Sequence, residues 1–551
     1  MNSPIKKTNG DIEADVVIVG SGVVGAMIAD QLARQGHSVL ILEAGPIIER
    51  AQVVENFRNL PFDHRLIDKP DYQTIYPQTP YALAPLYFPD NNYISLSGPD
   101  SNSFKQYYLR AVGGTTWHWA GSNWRHLPVD FVLNSTYGVG RDWPISYDEL
   151  EPYYCRAEEE MGISGPHDPA LQSPSQRSRP YLFDMIPRGY ADNYVASVVN
   201  PHGYHFVPVP QARSVTPWEG RPACCGSNNC QPICPIGAMY AGIQHVQKAE
   251  RNGALVLAES VAYKIDTDQN NKVTAVHWYD AKRQSHRASG TVFVLACNAI
   301  ETPRLLLQAA NPANPNGIAN SSDQVGRNMM DHTGFYCSFL ADKPIWGGRG
   351  PQENSSMVGM RDSPTRADHS SFSFIFDNRS RVPNATQQAL DMGLVGVELD
   401  EEIRRRVAFG IYITVMMEPL PDANNRLTLS NTRFDGLGLA CPDIHYDTGD
   451  YVRRGAVAAR ERLRHLSGLF NGVEFHTSPF NGNNHLMGST IMGDDPKTSV
   501  VDGDCRAHDH ANLWLPGGSA MPSGSVVNST LTMVALGLKA ADSISSSLAG
   551  N

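Results

Sequence analysis

Short apolar runs separated by polar or glycine-rich breaks open the chain and predict two strands around one helix. Residues 14–19 form an apolar run that ends at a glycine, as a buried strand does. Residues 26–35 have the pattern of a helix, and residues 38–42 form a second apolar run. Together these elements make a complete βαβ unit.

The turn inside this unit carries three glycines, Gly20, Gly22 and Gly25, with the spacing GxGxxG. Gly20 permits the tight turn, Gly22 lets the backbone approach a pyrophosphate, and Gly25 allows the helix to pack closely on the strand. Glu43 ends the second strand and can accept hydrogen bonds from a ribose 2′-OH. The unit is therefore predicted to bind a dinucleotide with an unphosphorylated ribose, FAD or NAD rather than NADP.

Further strands of this fold are predicted much later in the chain. Apolar runs at 254–257, 273–279 and 291–296 have the length and composition of strands, and a helix with proline in its first turn follows at Glu301. The dinucleotide-binding fold is therefore predicted to be discontinuous, with a long insertion between its two parts.

Residues 335–480 have a different character. Alternating runs such as 371–376 and 409–417 are separated by Gly, Pro and Asn turns and predict a mostly antiparallel sheet. Helices are predicted around 386–408 and 450–470. The fold class that follows is α/β, with a second part built on an antiparallel sheet.

An irregular stretch rich in Pro, Asn and Tyr is predicted over residues 56–110. Gly113, Gly114 and Thr115 follow it and lead into an aromatic run at 117–119. This pattern is compatible with a tight turn among core aromatics and equally with backbone packed closely on a flat cofactor.

Composition and charge exclude some classes of function. The chain has 551 residues, 45 of them basic and 56 acidic, for a net charge of −11. This balance argues against a nucleic-acid-binding protein, whose surface should be basic. No window of apolar residues is long enough to span a membrane, and the first residues show neither an apolar export signal nor a twin-arginine pair. These features predict a cytoplasmic chain or one that is exported with a partner.

Four of the nine cysteines lie within eleven residues, at positions 224, 225, 230 and 234. The proline that follows Cys234 resembles the end of a ferredoxin-type run, so an iron–sulfur cluster is favoured. Zinc sites usually pair their cysteines in two separated halves, which this segment does not do. Zinc and a set of reduced or disulfide-bonded thiols remain as alternatives.

Several motifs occur in an order that resembles one enzyme family. These are the glycine fingerprint, Gly113 to Thr116, Arg141 to Pro144, Glu301 to Pro303, Val325 to His332, and the C-terminal histidine–asparagine region. They resemble the glucose–methanol–choline (GMC) flavoprotein oxidoreductases, over essentially the whole chain. The cysteine segment is similar to that of the large subunits of bacterial membrane-bound sugar dehydrogenases.

The resemblance implies FAD, a 3Fe–4S cluster and oxidation of a sugar hydroxyl by hydride transfer to flavin N5. It assigns His485 as the catalytic base and Asn528 as its partner on the substrate oxygen. Cys224, Cys230 and Cys234 are the implied cluster ligands, with Cys225 as the spare. The implied FAD contacts are the residues Gly20, Gly22, Gly25, Glu43, Gly113, Gly114, Thr115 and Val261. His332 is expected to have a structural role near the flavin.

The resemblance also implies partners and a location. A small chaperone-like subunit and a multihaem cytochrome c subunit are expected, with the site at the periplasmic face of the bacterial inner membrane. Segments at 88–93, 392–396, 400–406 and 425–430 favour D-fructose as the substrate, oxidised to 5-keto-D-fructose. D-Sorbitol, 2-keto-D-gluconate, gluconate and glucose remain open as substrates.

The expected division of the chain follows the motifs. The FAD-binding domain, Rossmann-like and discontinuous, is expected at 1–215 and 246–334, with the iron–sulfur segment at 216–245. A substrate-binding domain at 335–480 and a catalytic segment at 481–551 complete the chain.

Two other classes of function are possible alternatives to a sugar dehydrogenase. The cysteine segment argues against an oxygen-using oxidase, and the histidine–asparagine motif argues against a non-enzymatic redox or metal-binding subunit.

Overall fold

The computed structural model describes residues 5–8, 11–59, 75–76, 93–104 and 106–550. Much of the irregular stretch predicted at 56–110, and residues 88–92 of the segment at 88–93, lie outside the described residues. Within the described part, Arg50–Arg58 is a helix and Ser95–Ser97 a short strand.

The predicted βαβ unit forms the centre of the first sheet. The strand Asp11–Val19, the helix Val23–Arg34 and the strand Val39–Leu42 follow one another, and the two strands pair in parallel with Val16 opposite Val39. The middle of the first strand is completely buried, because helices and strands cover it on all sides. The helix begins three residues earlier than predicted, immediately after Gly22.

The second part of the chain adds strands to both sides of this unit, so the predicted discontinuity is confirmed. Ser285–Leu295 runs parallel beside Asp11–Val19, and the helix Asn298–Gln308 follows it. The order across the eight-stranded sheet is Leu255–Leu257, Val39–Leu42, Asp11–Val19, Ser285–Leu295, Val273–Tyr279 and Val261–Thr267, with Lys6–Thr8 and Leu513–Trp514 added to it.

A seven-stranded antiparallel sheet forms the second layer, as predicted for this part of the chain. Its order is Val473–Thr477, Thr333–Leu340, Gly410–Met417, Phe372–Phe376, Ser355–Met357 and Phe206–Pro208, with Asn481–Gly482 added to it. The helix Asp450–Leu469 contacts three of these strands. Phe206–Pro208 belongs to the first part of the chain, so the sheet is built from segments far apart in sequence.

The single helix predicted around 386–408 is in fact a helical hairpin. Val382–Asp391 and Gly396–Phe409 are separate helices, because Gly393 and Gly396 adopt positive φ angles of 76° and 61° that end one helix and start the next. The turn is at the surface, where the side chain of Val395 is 73% exposed. The segment at 392–396 is therefore a surface feature.

The remaining elements connect these layers. A three-stranded sheet pairs Ala440–His445 with Arg426–Phe434 and Ser95–Ser97. The other helices are Leu133–Tyr137, Tyr147–Met161, Tyr190–Val199, Ile243–Arg251 and Thr530–Ala549. Among the described residues, none of the helices is both long and apolar enough to cross a bilayer.

Candidate active site

A cleft of about 850 Å³, open on one side, lies where the parallel strands of the first sheet end. Val19, Leu42 and Ala296 line it, and each lies at or just after the carboxyl end of its strand. This is the edge at which open α/β sheets bind their ligands. Six of the eight predicted cofactor residues line the cleft, namely Gly20, Gly22, Glu43, Gly114, Thr115 and Val261.

The three glycines of the fingerprint have different surroundings. A Cβ atom at Gly20, where φ is +97°, would lie 2.6 Å from the carbonyl oxygen of Ala296. A Cβ at Gly25 would lie 2.1 Å from the carbonyl oxygen of Gly20, so Gly25 lets helix and turn pack and does not line the cleft. A Cβ at Gly22 would meet nothing within 4 Å. Gly22 therefore keeps free the space that a pyrophosphate needs.

Gly113 and Gly114 lie next to the glycine-rich loop at 20–25, and Gly114 packs directly on it. A Cβ at Gly114 would lie 2.7 Å from the Cα of Gly22, so the two backbones are in direct contact. Gly113 lies outside the cleft lining, and its Cβ would lie 2.8 Å from Nε1 of Trp117. The packing of 113–114 on backbone and indole explains why larger residues do not fit here.

Glu43 is buried at the end of its strand and is held by three hydrogen bonds. Its Oε2 accepts from the backbone N–H of Ser21 at 2.9 Å and the Ser21 hydroxyl at 2.7 Å, and its Oε1 accepts from the N–H of Gly45 at 2.9 Å. Burial raises the pKa of the carboxyl. Because a carboxylate has about four acceptor positions, it can still accept a ribose hydroxyl.

The opposite wall of the cleft contains an ion pair that the sequence motifs did not identify. Arg110 Nη2 lies 2.9 Å from Glu301 Oε1, and Arg304 lies on the other side of the same carboxylate. Burial alone would raise the pKa of Glu301, but the two guanidinium groups lower it to about 2. The carboxylate is therefore charged throughout the neutral range. Glu301 belonged to a recognised motif, but nothing in the sequence indicated that Arg110 would pair with it.

His485 and Asn528, predicted as the catalytic pair, come together from distant parts of the chain. The Nδ2 of Asn528 lies 3.3 Å from the Nε2 of His485. The carboxylate of Asp331 fixes the histidine loop by accepting from the backbone N–H of His485 at 2.7 Å and of Asn484 at 3.2 Å. Asn528 lies just before the last helix, Thr530–Ala549.

His332 is in direct contact with His485, and its hydrogen bonds determine where the protons lie. Its Nε2 is 3.1 and 3.0 Å from the carbonyl oxygens of Gly524 and Ser525, which can only accept, so Nε2 carries the proton. Burial lowers the pKa of His332 to about 4, so its Nδ1 is unprotonated at neutral pH.

The proton on His485 follows from the neutral state of His332. The two Nδ1 atoms are 2.9 Å apart, and because His332 Nδ1 must accept, His485 Nδ1 must donate. Burial, followed by the electrostatic effect of His332, lowers the pKa of His485 well below its usual value. Neutral His485 thus has its lone pair on Nε2, on the side of Asn528.

The clustered cysteines line a second cavity of about 310 Å³. Cys230 and Cys234 are buried, Cys224 is half-buried, and Cys225 is exposed, with hydrogen bonds from Ser227 that lower the pKa of its thiol. All four have free thiols. The three cysteines predicted as cluster ligands are therefore the three that are less exposed to solvent.

The spacing of the thiols distinguishes between the groups that they could hold. Among the residues that the structure describes, these cysteines do not supply three sulfur atoms that all lie within 4.8 Å of one another. Four thiolates around one zinc ion, each at about 2.3 Å, would be about 3.8 Å apart. The observed spacing therefore does not match one tetrahedral zinc ion. An iron–sulfur cluster, in which each cysteine binds a different iron atom, accepts a wider spacing.

A short segment joins the cleft to this cavity. It begins with the 3₁₀ helix Gly114–His118, whose first residues line the cleft. His118 Nδ1 lies 2.9 Å from the carbonyl oxygen of Pro232, between the second and third cysteines of the set. Trp119 packs on the apolar group formed by Cys234, Ala238 and Met239. The two cavities are thus neighbours.

Comparisons with known proteins point to one family. Family models described as GMC oxidoreductase match residues 219–334 and 421–537, and one described as FAD dependent oxidoreductase matches residues 15–76. The chain is 50% identical to the fructose dehydrogenase large subunit of Gluconobacter japonicus, over 98% of both chains. It is 29% identical to the 6'''-hydroxyparomomycin C oxidase of Streptomyces lividus, over 98% of this chain and 92% of that one.

Solved structures show the same fold at low sequence identity. A formate oxidase of Aspergillus oryzae superposes with a TM-score of 0.66 at 15% identity, over 98% of this chain and 99% of that one. The predicted architecture, a dinucleotide-binding α/β part with an antiparallel sheet, is therefore confirmed.

Two alanine substitutions separate cofactor binding from packing. Gly22 has φ −61°, which alanine can adopt, so Gly22→Ala should change the free energy of unfolding of the apoprotein by less than about 0.5 kcal/mol. It should weaken FAD binding by about tenfold or more, because the new methyl group occupies the pyrophosphate space. Gly25→Ala should instead destabilise the apoprotein by about 1–3 kcal/mol. Denaturant unfolding measures the free energy of unfolding, and FAD titration measures the affinity for FAD. Equal FAD affinity in Gly22→Ala and wild type would contradict the assignment of Gly22 to the pyrophosphate site.

The proton arrangement at His485 predicts that two variants at position 332 differ. An asparagine can present an amide oxygen near the position of the His332 Nδ1 atom, whereas leucine presents no acceptor. His332→Leu should therefore slow reduction of bound FAD by substrate about tenfold or more relative to His332→Asn. Stopped-flow absorbance of FAD-loaded protein measures the rates. Equal rates in the two variants would show that His332 acts only through its bulk.

Proposed function

The chain belongs to the GMC oxidoreductase family of FAD-dependent enzymes, and we propose that it oxidises a secondary hydroxyl of a sugar, converting D-fructose to 5-keto-D-fructose. The substrate class is supported by the 50% identity to a fructose dehydrogenase large subunit. The chemistry is supported by one observation above all, the contact of His485 with His332 on one side and with the Asn528 amide on the other, from which we infer an unprotonated Nε2.

The cleft fits FAD through its own residues. The open space at Gly22 suits a pyrophosphate, and the free acceptor capacity of Glu43 suits a ribose hydroxyl. Gly114 and Thr115 continue the cleft toward the aromatic residues at 117–119. Bound FAD supplies a hydride acceptor at N5, and the protein has to supply the base and the orientation of the substrate.

His485 acts as the base in this proposal. Its Nε2 takes the hydroxyl proton of the sugar, while Nδ1–H continues to donate to His332 Nδ1 at 2.9 Å. That hydrogen bond strengthens as His485 becomes positive, because its donor is then charged. Asn528 Nδ2 lies 3.3 Å from His485 Nε2, so one of its N–H groups can donate to the substrate oxygen beside the base as negative charge develops there.

The same burial sets the pH range of the base. Because the pKa of His485 lies well below 6.5, Nε2 remains unprotonated in mildly acidic solution. The neutral ring of His332, with its pKa of about 4, keeps its acceptor atom over the same range. The enzyme is thus suited to operate from neutral to mildly acidic pH.

The cysteine pocket provides the route by which electrons leave. A 3Fe–4S cluster bound by Cys224, Cys230 and Cys234 supplies a one-electron relay beside the cofactor cleft. The matched relative is a large subunit, which supports an assembly with partner subunits. We propose a small chaperone-like subunit and a multihaem cytochrome c subunit as those partners, at the periplasmic face of the bacterial inner membrane.

The other candidate substrates share the same site chemistry. D-Sorbitol, 2-keto-D-gluconate, gluconate and glucose each offer a hydroxyl to the same base. An oxygen-using oxidase is the second candidate function, since one relative at 29% identity is an oxidase. An enclosed set of three free cysteines next to the cleft favours the dehydrogenase, because an oxidase passes electrons to oxygen without a relay.

The proposed function predicts the result of an anaerobic assay with five sugars and polyols. D-Fructose should bleach the absorbance of bound FAD faster than D-sorbitol, 2-keto-D-gluconate, gluconate or glucose. His485→Asn should retain FAD and slow this bleaching by about 10²–10⁴-fold, because a general base contributes about that much. Bleaching by none of the five would refute the sugar dehydrogenase. A wild-type rate in His485→Asn would refute the assigned base alone.

Two cysteine variants test the exit route. Cys230→Ser removes a buried thiol of the proposed ligand set, whereas Cys225→Ser removes the exposed one. Cys230→Ser should keep sugar-driven reduction of FAD but lose the iron signal in electron paramagnetic resonance and the reduction of cytochrome c. Cys225→Ser should keep the reduction of FAD, the iron signal and the reduction of cytochrome c. Loss of FAD from Cys230→Ser would instead indicate that the cysteine segment stabilises the fold.

A further inference from the structure

The guanidinium group of Arg213 lies at the wall of the cysteine pocket and is almost completely buried, with 1% of the residue exposed. Its Nη1 donates a hydrogen bond to the sulfur of Cys230 at 3.0 Å. Its Nη2 donates to the sulfur of Met239 at 2.9 Å and to the carbonyl oxygen of Ala120. Its Nε is buried and has no hydrogen-bond partner.

Some buried arginines form ion pairs with carboxylates, whereas Arg213, like Arg221 and Arg361, forms none that the structure describes. Arg125 forms ion pairs with Glu151 and Glu158, both at 2.8 Å, and Arg366 forms ion pairs with Asp130 and Glu418. Within the described part of the chain, no carboxylate forms an ion pair with Arg213; its partners are two sulfur atoms and a carbonyl oxygen. A buried cation without a counter-ion is strongly unfavourable.

The groups best placed to balance this charge are the cysteines. Arg213, Cys224, Cys230 and Cys234 line the same pocket, and the Cys230 sulfur accepts the hydrogen bond from Nη1. The carboxyl of Glu353 also interacts electrostatically with Arg213, but burial raises its pKa. Three thiolates and the cluster that they would hold carry net negative charge at the place where the guanidinium points. A loaded pocket therefore gives Arg213 an anionic partner.

We propose that Arg213 raises the reduction potential of the cluster by donating to the Cys230 sulfur. This proposal rests on the proposed function, since it requires the cluster. Reduction adds one electron, and thus one negative charge, to the group held by the three thiolates. A fixed positive charge and an N–H···S hydrogen bond stabilise that more negative state. The higher potential draws electrons from the cofactor cleft toward the pocket.

Arg50 provides a matched comparison on the other side of the segment. Its Nη1 donates to the carbonyl oxygen of Cys234 at 2.7 Å, and its guanidinium lies over the ring of Trp117 at 5.1 Å. Arg50 is thus a positive charge near the pocket that bonds to backbone rather than to sulfur. Arg50→Gln and Arg213→Gln remove the same charge, but only Arg213→Gln removes the charged donor to sulfur.

The test is a redox titration of the holoenzyme that follows the electron paramagnetic resonance signal of the oxidised cluster. Arg213→Gln should lower the midpoint potential by about 59 mV or more, a tenfold change in the one-electron equilibrium. Arg50→Gln should lower it by less. Arg213→Lys keeps the charge without the planar donor, so its potential should lie between those of wild type and Arg213→Gln. Iron content per chain, measured in parallel, shows whether each variant is loaded.

The outcomes separate this proposal from the proposed function. Absence of the cluster signal from wild type would refute the proposed cluster, and the role of Arg213 with it. A wild-type signal with an unchanged potential in Arg213→Gln would overturn the role of Arg213 alone. If Arg213→Gln does not hold iron, the test uses Arg213→Lys instead. A cluster potential in Arg213→Lys that equals or exceeds that of wild type would overturn the proposal.

Discussion

One packing constraint links the two parts of the site, the contact of the segment 114–119 with both cavities. At one end Gly114 lies against Gly22, where a Cβ atom would be only 2.7 Å from the neighbouring Cα. At the other end Trp119 packs on the apolar group that includes Cys234. Because the segment is short, and three of its six residues are buried, it keeps the cofactor cleft and the cysteine pocket close together. Electron transfer between two groups requires such a short distance.

Burial has opposite consequences in the two halves of the site. Burial lowers the pKa of both His332 and His485, so both rings are neutral at neutral pH, and two carbonyl groups fix the proton of His332. Neutral His485 is the proposed base. Arg213 stays charged when it is buried, so it favours an anion in the pocket. Arg366, by contrast, is buried beside carboxylates that balance its charge. Arg213 lies at the site proposed to receive electrons.

Local sequence patterns predicted those features of the fold and the site whose residues lie close together in the chain. The βαβ unit and the roles of Gly20, Gly22 and Gly25 follow from residues close together in the chain, and the structure places them accordingly. The approach of Asn528 to His485 was expected from family motifs rather than from spacing. The contact of His332 with His485 spans 153 residues and depends on the packing of separate loops, which no local pattern encodes. The hairpin at 382–409 was predicted as one helix because two glycine turns were missed.

Sugar oxidation in the cleft and electron storage in the cysteine pocket are proposed to occur on the same chain. Anaerobic titration of the holoenzyme with D-fructose, followed by FAD absorbance and by the signal of the oxidised cluster, tests it directly. Both signals should disappear, that of the cluster no later than that of FAD, with uptake of about three electrons per chain, two on FAD and one on the cluster. Bleaching of FAD at about two electrons per chain, with no change in any iron signal, would contradict it.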